Sequence, residues 1–228
     1  MLSFDNERDF PFYNGIPRMP GIGWIVLLIC VPVSLISYQY VALFANEFVA
    51  SIVFLLIMLI PLLYFSGWDY SLFFKRPTKD EIILAILMFL AFFAYSLVMS
   101  LFLAQIGMPS TGSGEAGIVS IASFVFSMMA EELVKFIPLM FFLRLFYKYT
   151  DNRNLSIALS SAIIIIGFGL LHYAPPYSTL ISVLTLQGFG TIFELYGYIR
   201  TKNVLVPYMS HLLTDAVIFI LLISGLGI

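Results

Sequence analysis

Seven stretches of the chain, near residues 21–45, 47–66, 81–105, 118–147, 155–174, 178–199 and 204–227, are apolar over the length a helix needs to cross a bilayer. A hydrocarbon core of about 30 Å takes about 20 helical residues. Inside lipid the backbone has no water to bond, and a helix satisfies every N–H and C=O within its own segment. Only 11% of the residues are charged and 61% are hydrophobic, whereas soluble domains carry about 25% charged residues. The apolar surplus has to face lipid. The expected fold is therefore an all-α, polytopic membrane helical bundle of about seven transmembrane helices. Residues 1–20 form a polar cytoplasmic tail, and residues 21–228 form a single transmembrane domain without internal repeat or low-complexity segment.

The connections carry their own signals. Thr78, Lys79, Asp80 and Glu81, preceded by Pro77, fit a capping box that opens the third helix. The glycine-rich stretch from Gly107 to Gly117, with Pro109, reads as a flexible loop. Pro175 and Pro176 break the chain between the fifth and sixth runs. The first ten residues lack a basic segment followed by an apolar one, so they do not read as a signal peptide. Cys30 is the one cysteine and has no internal disulfide partner. A net charge of −2 says nothing useful about nucleic acid or acidic partners, and no nucleic-acid partner is expected.

Basic residues test the division independently, because cytoplasmic loops are enriched in Lys and Arg. Arg8 and Arg18 precede the first run. Lys75, Arg76 and Lys79 lie between the second and third, Lys148 and Arg153 between the fourth and fifth, and Arg200 and Lys202 between the sixth and seventh. The alternate connections, near 46, 106–117 and 175–177, contain neither residue type. Arg144, in the last turns of the fourth run, can snorkel to the same side. This alternation predicts a multi-pass protein, in the plasma membrane, with a cytoplasmic N-terminus.

Lys135 breaks the pattern, and it sits with Glu131 and Glu132 in the middle of the fourth run. Ionisable groups at membrane depth are costly and by default mark function. Two further clusters follow: Phe168 to His172, and His211 to Asp215, which hold the only two histidines. On a helix Lys135 reaches Glu131 (four apart) or Glu132 (three apart), so one carboxylate is held while the other, about 100° around the helix, faces a site. His211 and Asp215 share one helical face. If the fourth and fifth helices form an antiparallel hairpin, Glu131 and His172 lie at equal depth, with His211 and Asp215 about 10 Å nearer the cytoplasm. Glu194 is another carboxylate at membrane depth, read here as a packing or cavity residue.

Carboxylate and imidazole together suit activation of water: the Glu accepts a proton, and neutral His orients the water or binds a metal that holds it. Glu131, His172 and His211 form a candidate zinc set, although no His-Glu-x-x-His helix motif is present.

At these residues the chain resembles the CaaX-protease and bacteriocin-processing (CPBP, or Abi) superfamily of intramembrane proteases. That family carries Glu-Glu-x-x-x-Arg, Phe-x-x-x-His and His-x-x-x-Asn/Asp motifs on successive helices, and Phe168–His172 and His211–Asp215 match the second and third. The first motif departs, since Lys135 stands where no arginine follows. Glu-Glu-x-x-Lys is similar to the related PrsW proteases, whose middle motif ends in Glu rather than His172. The resemblance spans about residues 118–220, the expected catalytic core. It implies Glu131 as general base with His172 for the attacking water, and His211 with Asp215 on the oxyanion or metal side. Glu132 and Lys135 are supporting residues. It also implies a membrane-embedded or lipidated peptide as substrate, the lipid bilayer as partner, and zinc as a candidate cofactor.

Two other function classes use the same residues. A non-catalytic membrane scaffold of the same superfamily retains histidines without proteolysis, and a proton-coupled transporter would use buried Glu, His and Asp as a relay. Each cluster also has a structural reading: a buried ion-pair network, an interfacial histidine, and an interhelical hydrogen-bonded pair. The joint presence of all three clusters favours catalysis.

Overall fold

The structure, a computed structural model, describes residues 2, 4, 9–108 and 121–223. Residues 109–117 of the expected loop, and positions 118–120 and 224–227 of the fourth and seventh runs, lie outside the described residues. Helices form at each of the seven apolar runs. They are α1 (Gly21–Phe44), α2 (Glu47–Phe65), α3 (Lys79–Gln105), α4 (Ile121–Thr150), α5 (Arg153–Leu171), α6 (Leu180–Thr201) and α7 (Leu205–Ile223). A 3-10 turn at Tyr70–Leu72 precedes α3, and no strand occurs among the described residues. The chain is an all-α helical membrane bundle.

Five of these helices, α1, α2, α3, α5 and α6, are long and apolar enough to cross a membrane by length and composition. The apolar part of α7, Leu205–Leu221, is shorter. Helix α4 has the length, at 30 residues, but Glu131, Glu132, Lys135, Arg144 and Lys148 interrupt its apolar surface. Proline sits inside α1 (Pro32), α2 (Pro61) and α4 (Pro138), as membrane helices tolerate.

Local chemistry sets the helix starts. The predicted capping box of α3 is complete: Thr78 Oγ1 accepts from the Glu81 N–H at 3.3 Å, and the Thr78 N–H donates to Glu81 Oε2 at 2.8 Å. Asn46 caps α2 by accepting from the Val49 N–H. Thr179 and Ser182 form a reciprocal cap on α6.

The chain resolves into two units. The first comprises Met1–Arg8, Arg76–Gly114 and Ile165–Ile228; the second comprises Asp9–Lys75 and Glu115–Ile164. In the first unit α3, α6 and α7 pack against one another. Their core joins Leu84, Ala85 and Met88 of α3 to Val206 of α7, covered by Leu2, Phe4 and Met209. Residues 184–189 of α6 are π-helical. Within that segment Gly188 brings the backbone close to α5, because a Cβ there would stand 2.8 Å from the Ile165 carbonyl oxygen. The Tyr95 hydroxyl on α3 donates to the Thr185 carbonyl at 2.7 Å, giving a π-segment carbonyl a partner from the neighbouring helix.

In the second unit α1 and α2, joined by two residues, pack as an antiparallel pair, and α4 packs on α2 and touches α1. Leu27, Ala50, Met58, Leu62, Phe136 and Ile137 are fully buried there. Residues 9–20 form a strap rather than a free tail. Phe12 is fully buried, with its ring edge-on to Trp24 at 5.7 Å, and its carbonyl accepts from Arg144 at 3.0 Å. Asp9 receives hydrogen bonds from both Nε and Nη2 of Arg153, the latter at 2.7 Å, while Phe10 and Tyr13 lie against the guanidinium.

Candidate functional site

In the second unit, α4 presents Glu131 and Glu132 one residue apart, hence about 100° apart around the helix. Lys135 resolves the choice left open by spacing. Its ammonium donates to Glu132 Oε1 at 2.5 Å, and both side chains are wholly buried. Glu132 is thus held in a structural ion pair, and half-buried Glu131 occupies the adjoining face. A buried pair is a costly element whose members depend on one another, since removing one leaves an uncompensated charge.

The first unit holds both histidines. His172 lies in the turn immediately after α5, one residue beyond its last helical position, and is half-buried. Its N–H donates to the Gly169 carbonyl, and its Nδ1 stands 2.9 Å from the Phe168 carbonyl oxygen. A carbonyl oxygen only accepts, so this contact requires a proton on Nδ1, and in the neutral imidazole the lone pair is then on Nε2. The Phe168 ring packs against the imidazole with centroids 4.7 Å apart. The Phe-x-x-x-His spacing therefore does two jobs: the phenylalanine carbonyl fixes the tautomer, and its ring fixes the plane.

His211 on α7 lies between two carboxylates. Its Nδ1 is 3.7 Å from Glu194 Oε1 of α6, and its Nε2 is 3.7 Å from Asp215 Oδ2 one turn along α7. The side chains of His211, Glu194 and Asp215 are 11%, 14% and 29% exposed, respectively. The α6–α7 turn sets this register. Lys202 adopts a left-handed conformation (φ 49°), its N–H returns to the Tyr198 carbonyl, and the Thr201 hydroxyl bonds the Gly197 carbonyl. The packed helices leave this turn side by side, so residues equidistant from it stand at similar height.

Of the four residues expected to be catalytic, the structure pairs His211 with Asp215 on one face. It sets His172 in its own turn within the same unit, and places Glu131 in the other unit. Glu194, read from sequence as a packing or cavity residue with a substrate-site role as the lesser alternative, faces His211. A signal for this was available: Lys202 and Asn203, in the turn, lie midway between positions 194 and 211. A separation of 3.7 Å exceeds a direct hydrogen bond. It is wide enough for one zinc ion at the usual 2.0–2.1 Å from each donor, or for one bridging water. Imidazole and carboxylate are donors that zinc accepts.

Comparison of the chain with protein-family models, with curated proteins and with solved structures finds no match.

Proposed function

We propose that the chain is an intramembrane endopeptidase that hydrolyses peptide bonds of membrane-embedded or lipidated substrates with activated water. The reading rests chiefly on His211, a histidine on an apolar helix with a carboxylate facing each ring nitrogen. The anchored ring of His172 and the Glu132–Lys135 pair support it, because both are groups held in one orientation. In the proposed reaction a glutamate takes a proton from water that a histidine lone pair orients. The hydroxide adds to the scissile carbonyl carbon, and His211, oriented by Asp215, donates a ring N–H to the oxyanion. The amine then leaves with the proton from the glutamate, so atoms and charge balance. Zinc, if bound by His211 and Glu194, would polarise the water and the carbonyl. The alternation of basic loops supports a multi-pass placement with a cytoplasmic N-terminus, and the plasma membrane is the proposed location.

The Glu194–His211–Asp215 array also suits a proton relay, and this favours proton-coupled transport as the second reading. One experiment separates them. Purified protein in liposomes is offered a library of transmembrane and prenylated peptides while lumenal pH is followed. Cleavage abolished by Glu131→Ala and by His211→Ala, with folding unchanged, supports the peptidase. Full cleavage in both variants contradicts the mechanism, and proton flux without cleavage supports the relay. Absence of both activities leaves the non-catalytic scaffold.

A further inference from the structure

At one end of the α1–α2 pair, within the second unit, a cavity of about 460 Å³ opens between the strap and the last turn of α2. Its lining includes Phe12, Pro17, Arg18, Tyr64, Phe65 and Gly67. That volume falls in the range of small-ligand sites, about 300–1,000 Å³. The walls are mostly apolar or aromatic, and Arg18 is the one cation among the lining residues. Arg18 forms no hydrogen bond or ion pair with any described residue. Arg18 is exposed, so its fork is open to a ligand beside the aromatic walls, and a planar guanidinium is suited to a phosphate.

The position of the cavity narrows the source of that phosphate. Helices α1 and α2 are both apolar spans, and the cavity lies where α1 begins and α2 ends, at the boundary of their apolar lengths. Tyr64, Trp68 and Tyr70 are exposed at that end, as aromatic side chains are at membrane interfaces. Tyr64 lines the cavity, and Ile60 and Leu56 follow it at four-residue spacing down the same face of α2, all three exposed. That face forms an apolar track leading from the cavity along the span.

Both walls are fixed in advance. On one side Phe12 is buried with φ 68°, and its N–H and carbonyl are bonded to Ile16 and Arg144. On the other, Gly67 (φ 70°) and Trp68 (φ 63°) close the end of α2, with N–H groups returning to Tyr64 and Leu63. A strained, well-bonded frame around an unpaired cation is an arrangement found at ligand sites. We propose that this cavity binds the headgroup phosphate of an anionic phospholipid, with Arg18 on the phosphate and the acyl chains along Tyr64, Ile60 and Leu56.

The test uses the full chain, purified in detergent and stripped of lipid, with its melting temperature followed as one component is added. Phosphatidylglycerol at a hundredfold excess over its dissociation constant raises the melting temperature by on the order of 5 °C. Arg18→Gln removes most of this rise, Arg18→Lys keeps part of it, and the exposed-charge control Lys148→Gln keeps all of it. Phosphatidylcholine and inorganic phosphate at the same concentration give no comparable rise. The proposal is overturned if phosphatidylglycerol has no effect or if Arg18→Gln responds as the wild type does. It is equally overturned if phosphatidylcholine or inorganic phosphate reproduces the rise.

Discussion

Lys135 decides which of two adjacent glutamates serves the fold. Both spacings, four to Glu131 and three to Glu132, are compatible with a helix, so sequence alone left the partner open. The structure gives it to Glu132, and both partners are wholly buried. Lys135→Met is therefore expected to destabilise the protein by about 3–5 kcal/mol, the cost of stranding a buried charge. The double variant Glu132→Gln/Lys135→Met should recover most of that loss, and thermal unfolding in detergent measures both. Recovery by the double variant distinguishes a stranded charge from lost packing. Glu194 was legible only in part. Its depth was apparent, but its orientation toward His211 depends on how α6 leaves the π segment and enters the Lys202 turn, which no motif encodes.

The helices themselves were largely readable, because runs of apolar residues and side-chain caps are local signals. The Thr78–Glu81 box is present as expected, and the bounds of α1 and α2 fall within one residue of the predicted runs. The π segment of α6 was not readable, since it depends on contacts with α5 and α3. Gly188→Val places a side chain against the Ile165 carbonyl, only 2.8 Å from the new Cβ, and should destabilise by about 1–3 kcal/mol through overpacking. Thermal unfolding beside the lenient control Gly21→Ala, where a Cβ meets nothing within 4 Å, tests this.

The strap was also not anticipated, as residues 1–20 were read only as a polar tail. Burial raises the Asp9 carboxyl, but the hydrogen bonds from Arg153 and from the Phe10 N–H outweigh it and hold the group below its ordinary 3.8. A lowered carboxyl contributes stability that is complete above the unfolded value and is lost as pH falls through the folded one. The stability advantage of wild type over Asp9→Asn should therefore be constant above about pH 5 and shrink below about pH 4. Melting temperatures of the two proteins across that window provide the check.

At the scale of the molecule, the apolar runs announced a membrane protein, and the described chain is all-helical with five helices fit to span. Its division into two units was not legible, because each unit is assembled from segments far apart in sequence and α5 contributes to both. The proposed membrane orientation rests on the alternation of basic loops. Reporter tags at the 75–79 connection and at position 46 should label from opposite sides of the membrane, and same-side labelling would contradict the proposed topology. The proposed hydrolysis by Glu- and His-activated water is read out by peptide cleavage in 18O-water. Wild-type protein should place one 18O atom in each new carboxylate, and Glu131→Gln or His211→Ala proteins that melt as the wild type does should give neither cleavage nor label. Labelled product formed at wild-type rate by either variant would contradict it.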